Sequence, residues 1–234
     1  MADRPDESDP LDPATVACPY PFYDTLRAHA PAYRVAGHQW FKEWSDGIAN
    51  LGGMADEEQL AAIQQANVQF VTKTITSGMM LLLQHPDQLQ AVRDDIGLLP
   101  NLVEEVLRTE SPVQCHFRRA TRGTTLAGVE IPAGSGVGVL YGSANRDERQ
   151  FADAARFDVR RPNARTHLAF SSGPHFCIGA PLARLEGRIA FEVLVTRLRN
   201  VRLPPDRNEF RYLPSFTHRG LEELWISYDE RITG

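Results

Sequence analysis

The chain has a helical period of apolar residues from Leu182 onward. Apolar positions recur there every three or four residues, a spacing that predicts an amphipathic α-helix. The recurring residues are Leu185, Ile189 and Val193, and Arg184, Arg188 and Arg197 fall between them. The longest plain apolar run elsewhere, Met79 to Leu83, is far too short to span a bilayer. No helix is predicted after the glycines at 134, 136 and 138, so this run predicts a strand and not a nucleotide-binding loop.

A lone cysteine, Cys177, lies just before the predicted helix. Gly173 and Gly179 bracket it, and glycine permits a tight turn and a close backbone approach because it has no Cβ. Pro181 suits the first helical turn, where its missing N–H costs nothing. Free N–H groups at a helix start favour the thiolate form of a nearby sulfur. A free cysteine is also often a small buried hydrophobe, but the glycines, His175 and the helix start favour an iron-thiolate site.

The run from Phe170 to Gly179 matches Phe-x-x-Gly-x-x-x-Cys-x-Gly, and this pattern resembles the haem-binding loop of the cytochromes P-450. The likeness is to soluble bacterial members and covers roughly residues 80 to 234. It implies a mainly α-helical fold with a small β region, a shortened cytochrome P-450-like fold. It also implies haem b (iron protoporphyrin IX) as cofactor, with Cys177 as the axial thiolate on the iron and Phe170, Gly173 and Gly179 shaping the loop.

Two further residues are carried over from the family as contacts of the haem propionates, namely Arg118 and His175. Both suit that role, because a propionate needs a permanent cation or a strong hydrogen-bond donor. Arg119 is adjacent to Arg118 and is the alternative partner.

A buried triad is the other structural motif that the resemblance implies. Glu105 and Arg108 fit the family's Glu-x-x-Arg motif, and Arg156 fits the arginine that completes the triad. Without the family, Glu105 and Arg108 would be an ordinary i,i+3 surface ion pair, worth only tenths of a kcal/mol.

The distal helix, expected at 66–84, departs from the family pattern. The family's register places Gln69 where members carry an acid and Phe70 where they carry a threonine. Neither side chain replaces that proton relay, since an amide has no accessible pKa and phenylalanine has no donor. A shifted register leaves a hydroxyl available from one of the nearby threonines, which are Thr72, Thr74 and Thr76.

The resemblance implies a monooxygenase that inserts one oxygen atom from dioxygen into a small organic substrate. Its electrons would come from NAD(P)H through a ferredoxin-type partner and its reductase. The altered distal residues keep two alternatives open, a peroxide-driven haem-thiolate enzyme and a non-catalytic haem binder or internally deleted relic.

Composition predicts a soluble cytoplasmic protein with a single domain. The resemblance implies that this domain, over 14–234, binds haem, with 170–198 as the haem loop and proximal helix. The chain has 234 residues, 42% of them hydrophobic, and residues 1–13 predict a disordered acidic tail. Three cysteines in no Cys-x-x-Cys array argue against a disulfide framework. A zinc site at His175 and Cys177, completed by His167 or His116, is the less favoured alternative.

Charge is distributed unevenly along the chain. Residues 1–100 carry a net charge of −8 and residues 101–234 a net charge of +3. A positive surface near the haem would attract an acidic electron-transfer protein, although the same arginines also serve simply to solvate an amphipathic helix. The residues concerned are Arg184, Arg188, Arg197 and Arg199. The pattern predicts no nucleic-acid and no membrane partner.

Overall fold

The structure is a computed structural model that describes residues 14–15, 18–29 and 56–232. The helices, labelled α1 to α6, are Tyr20–His29, Asp56–Gln84, Pro86–Asp94, Leu99–Thr109, Tyr141–Ala144 and Ala180–Arg197. The strands, labelled β1 to β6, are Cys115–Arg119, Thr124–Leu126, Val129–Ile131, Gly136–Leu140, Leu198–Arg199 and Glu230–Arg231. Short 3₁₀ turns lie at Ile96–Leu98, Ala164–Thr166 and Gly173–His175.

The chain divides into two compact units, one of residues 1–68 and 116–139 and one of residues 69–115 and 140–234. The single haem-binding domain over 14–234 therefore stays a prediction. The acidic tail predicted over 1–13 lies outside the described residues.

The small β region of the first unit consists of two pairs of strands. β1 pairs with β4, and β2 pairs antiparallel with β3, with Thr124 opposite Ile131. Ala127 and Gly128, which join β2 to β3, have φ angles of 49° and 81°, as a type I′ hairpin turn requires. The strand predicted from the glycines at 134–138 forms as β4, and Gly134, at φ 82°, lies in the turn before it.

The long helix α2 spans 29 residues and contains the segment predicted at 66–84. In the second unit its C-terminal part packs into the apolar core with α4 and α6. Gly78 leaves no room for a side chain, because a Cβ placed there would lie 2.7 Å from Phe191 Cε1 and 3.0 Å from Val106 Cγ2. None of the described helices, α2 included, is long and apolar enough to cross a bilayer.

The helix predicted after Cys177 forms as α6, but the face it buries is not the predicted one. Its buried residues are Ala180, Ala183, Gly187, Phe191 and Val195. The apolar positions Leu185, Ile189 and Val193 are instead 47%, 48% and 38% exposed. Small residues determine the packed face, since a Cβ on Gly187 would already touch Val103 of α4 at 3.5 Å.

The C-terminal end of α6 is capped by an arginine from another helix. Arg93 on α3 donates from Nε to the Val195 carbonyl (3.2 Å) and from Nη2 to the Leu198 carbonyl (3.0 Å). These carbonyls lack intrahelical donors at a helix end, so the guanidinium both satisfies them and complements the helix dipole. The cap fixes α6, whose other end carries the Cys177 loop.

Candidate functional site

The Cys177 loop joins the 3₁₀ turn at Gly173–His175 to the start of α6. The Cys177 N–H donates to the Phe170 carbonyl at 2.9 Å, and the Ala180 N–H donates to the Cys177 carbonyl at 3.2 Å. These two hydrogen bonds fix the backbone on both sides of the thiol, which is exposed. The local geometry therefore presents a free sulfur at a helix start.

The two loop glycines have different roles. Gly173 has a φ of 66°, in the left-handed region where glycine is favoured. Gly179 has a φ of −79° and is the N-cap of α6, a backbone conformation open to any residue. Of these two positions, only 173 has a backbone conformation that requires glycine.

Phe170 anchors the loop to the interior. Its side chain is 3% exposed, and its ring centroid lies 5.4 Å from that of Phe70 and 5.7 Å from that of His167. The Arg184 guanidinium carbon lies 4.7 Å from the Phe170 ring centroid, within the range of a cation–π contact.

The residues on either side of Cys177 in the sequence expose apolar side chains. Phe176 is 49% exposed and Ile178 is 95% exposed, directly before and after Cys177. An iron porphyrin presents a flat apolar face and accepts a thiolate as axial ligand. The donor and the apolar side chains of this loop therefore fit such a group.

The residues assigned to the propionates lie in different places. His175 is exposed at the end of the 3₁₀ turn, two residues before Cys177. Arg118 lies on β1 in the first unit, where its Nη1 donates to the Phe117 carbonyl at 2.8 Å. Their role towards propionates stays a prediction.

The predicted triad contains a different third member. Glu105 and Arg108 are fully buried, and Arg108 donates from Nε and Nη2 to the two Glu105 oxygens at 2.8 Å each. The guanidinium that joins them is Arg161, whose Nε lies 3.1 Å from Glu105 Oε1. Arg156 is exposed and contributes only its carbonyl, which accepts from Arg108 and Arg161, so its assignment was wrong.

Burial explains why this network is large. An ionised group removed from water must be paired and hydrogen-bonded, and two guanidinium groups share one carboxylate here. Backbone carbonyls supply the remaining acceptors, and they belong to Asn145, Ala152, Asp153, Ala154 and Arg156. The Asp158 N–H also donates to Glu105 Oε1 at 3.0 Å, which ties the irregular segment at 145–161 to α4.

A second buried carboxylate escaped the sequence analysis. Glu104, next to Glu105 on α4, accepts from His167 Nε2 at 2.9 Å and from Arg184 Nε at 2.6 Å. Sequence had assigned Arg184 to a positive surface and His167 to an alternative zinc site. Among the described residues, no cluster of three or more His, Cys, Asp or Glu side chains is placed to hold a metal ion.

The threonines near the distal position use their hydroxyls within the helix. Thr74 Oγ1 donates to the Phe70 carbonyl at 2.9 Å, and Thr76 Oγ1 donates to the Thr72 carbonyl at 2.7 Å. Gln69 is exposed. The two hydroxyl protons are therefore committed to helix carbonyls.

Comparison with known proteins gives a consistent result. A family model described as Cytochrome P450 matches residues 68–214. The cytochrome P450 monooxygenase PikC of Streptomyces venezuelae is 46% identical over 66% of this chain, and the 6-deoxyerythronolide B hydroxylase of Saccharopolyspora erythraea is 45% identical over 65%. The chain spans 37% of the length of each of these two relatives.

Solved structures agree with this similarity. The substrate-free cytochrome P450 CYP150A6 of Mycobacterium marinum superposes with a TM-score of 0.67 and 40% identity, covering 69% of this chain and 41% of that one. The predicted fold class, mainly α with a small β region, is confirmed.

Proposed function

The chain belongs to the cytochrome P450 family, and from that membership we propose that it binds haem b through Cys177 and inserts one oxygen atom into a small organic substrate. The observation that carries the proposal is the Cys177 loop. Its exposed thiol lies at the start of α6, with the backbone fixed by the Phe170 carbonyl and apolar side chains on either side.

Each part of the loop has a chemical task in this proposal. The Cys177 sulfur binds the iron as a thiolate, while Phe176 and Ile178 cover apolar cofactor surface that would otherwise contact water. When bound, haem supplies the redox chemistry by which dioxygen, two electrons and two protons convert R–H to R–OH and water. His175 and Arg118 are the proposed propionate contacts, as donor and cation.

A peroxide-driven reaction is the second candidate, and the distal helix favours it. Hydrogen peroxide already carries the two electrons and two protons that dioxygen lacks, so R–H and peroxide give R–OH and water directly. Gln69 and Phe70 provide no acid or hydroxyl for proton delivery, and the Thr74 hydroxyl donates to a helix carbonyl. The peroxide-driven reaction requires less proton delivery from the distal helix than the dioxygen reaction does.

We propose a ferredoxin-type partner and its NAD(P)H-dependent reductase as the electron source for the dioxygen reaction. Exposed Arg188 and Arg197 on α6 supply the positive surface, whereas Arg184 is engaged by Glu104 and Arg199 lies 3.7 Å from Glu230. A cytoplasmic location is part of the same proposal, because the three free cysteines suit a reducing compartment.

Hemin titration followed by isotope-labelled turnover tests the function. The purified protein should bind hemin with one saturable step that Cys177→Ala weakens, with Cys18→Ala as the control because Cys18 is the other exposed cysteine. Oxygen-18 in the product from labelled dioxygen, with ferredoxin, reductase and NAD(P)H, supports the monooxygenase. Label from peroxide alone supports the second candidate, and hemin binding without product would leave a non-catalytic haem binder.

A further inference from the structure

Three elements of the second unit meet at the carboxylate of Glu104. Arg184 on α6 donates from Nε to Oε1 (2.6 Å) and from Nη2 to Oε2 (3.1 Å), and His167, in the segment before the loop, donates from Nε2 to Oε2 (2.9 Å). The side chains of Glu104, His167 and Arg184 are 9%, 1% and 23% exposed. The carboxylate therefore connects α4, α6 and the approach to the Cys177 loop.

The hydrogen bonds of His167 assign its tautomer. The Ala169 N–H donates to Nδ1 at 3.0 Å, so Nδ1 is the acceptor and Nε2 carries the proton that Glu104 receives as a hydrogen bond. The carboxylate must then be ionised to accept from both neighbours. Burial alone raises the pKa of Glu104, but the hydrogen bonds from His167 and Arg184 outweigh burial and bring the pKa below its ordinary value.

Both partners of Glu104 contact Phe170. Arg184 lies over the Phe170 ring at 4.7 Å, and the His167 ring lies 5.7 Å away. The Phe170 carbonyl in turn accepts the Cys177 N–H at 2.9 Å. A continuous set of contacts thus runs from the Glu104 carboxylate through Phe170 to the backbone of the cysteine.

We propose that Glu104 is a positioning residue for the Cys177 loop. Its carboxylate holds Arg184 and His167 against Phe170 and so fixes the orientation in which the thiol is presented. The neighbouring Glu105 has a different task, because its network ties α4 to the segment at 145–161. The relevance of Glu104 to haem ligation rests on the proposed function, but its effect on the loop backbone does not.

A matched control lies at the C-terminal end of the same helix, α4. Glu110 is also a buried carboxylate, 5% exposed, and it accepts from Arg219 Nε at 2.8 Å. Glu110→Gln removes a comparable buried charge without touching the Phe170 contacts. Glu104→Gln keeps the shape of the side chain but turns an amide donor towards either His167 or Arg184, which are themselves donors.

Amide hydrogen exchange of protein labelled with ¹⁵N-cysteine measures the loop directly, with the Cys115 amide as an internal reference. We expect the Cys177 amide to exchange on the order of ten times faster in Glu104→Gln than in the wild type, because a charge-assisted hydrogen bond is lost. In Glu110→Gln, the exchange rate of the Cys177 amide should change no more than the rate of the Cys115 amide does. Equal effects of the two variants at Cys177 would overturn the proposal. If Glu104→Gln does not fold, Arg184→Lys should give a smaller increase, because it keeps the charge but loses the second hydrogen bond and the flat contact with Phe170.

The haem-loaded protein provides the second readout. Under carbon monoxide, the reduced Glu104→Gln protein should contain less of the thiolate-ligated complex than Glu110→Gln, and equal fractions would contradict the role in ligation. Failure of the wild-type protein to form any thiolate complex would refute the proposed function, while the exchange data would still decide the role of Glu104 in the loop.

Discussion

Replacing Arg161 by methionine removes a guanidinium that is 7% exposed and donates to four oxygen atoms. One is Glu105 Oε1 at 3.1 Å, and the others are the carbonyls of Ala152 (2.6 Å), Asp153 (3.0 Å) and Arg156 (2.8 Å). Methionine retains the apolar stem and its packing. The substitution therefore isolates the polar interactions of the side chain.

The size of the effect follows from what each acceptor loses. The Asp153 carbonyl keeps the Arg156 N–H, and the Arg156 carbonyl keeps Arg108 Nη2, so these two oxygens stay satisfied. Glu105 loses a charge-assisted hydrogen bond, and the Ala152 carbonyl loses the Arg161 donor. Because Glu105 keeps both hydrogen bonds from Arg108, its charge stays paired, and the loss of one hydrogen bond to a buried charge costs about 1.5–3 kcal/mol. This cost corresponds to a fall in melting temperature of roughly 3–12 °C for a chain of this size.

Urea unfolding followed by circular dichroism measures this change, and Arg156→Met is the matched control. The Arg156 side chain is exposed, so its loss should change the free energy of unfolding by no more than about 0.5 kcal/mol. A cost for Arg156→Met equal to that for Arg161→Met would refute the assignment of Arg161 to the triad.

Three other substitutions or conditions give measurable outcomes. Gly78→Ala should lower the free energy of unfolding by about 1–3 kcal/mol, because the new Cβ would overlap Phe191. Gly123→Ala is the control, since Gly123 has open space around it and its substitution should not lower this free energy. Equal urea midpoints for the two variants would contradict the close crossing of α2 and α6. Leu185→Gln should change the same free energy by no more than about 0.5 kcal/mol, as expected for a side chain that is 47% exposed, and a loss of several kcal/mol would show that this face of α6 is packed. The lowered pKa of Glu104 stabilises the fold above its ordinary pKa, and this contribution is lost as pH falls through the folded-state pKa. Urea midpoints measured on acidification should therefore fall more steeply for the wild type than for Glu104→Gln, and parallel profiles would contradict this linkage.

The loop around Cys177 was predictable because its signals are local. Glycine at 173 has the positive φ that only glycine adopts easily, and the proline at 181 lies in the first turn of α6. The helix that follows was predicted for the same reason. These features depend on neighbouring residues and need no knowledge of the rest of the chain.

The packed face of α6 and the identity of the third arginine in the triad depend on tertiary structure, so the sequence did not predict them. Both faces of α6 are apolar, and the close approach of α4 selects the face with Gly187 over the larger side chains at Leu185 and Ile189. Arg156 and Arg161 lie only five residues apart in the sequence, and the path of the backbone decides which side chain turns inward. Glu104 was missed because its partners lie 63 and 80 residues away.

The most direct test of the central claim is the absorption spectrum of the hemin-loaded protein after reduction under carbon monoxide. The account predicts the red-shifted Soret band of a thiolate-ligated carbonyl complex in the wild type and in Cys18→Ala, and its loss in Cys177→Ala. Absence of the band from the wild type, or its persistence in Cys177→Ala, would contradict the assignment of Cys177 as the haem ligand.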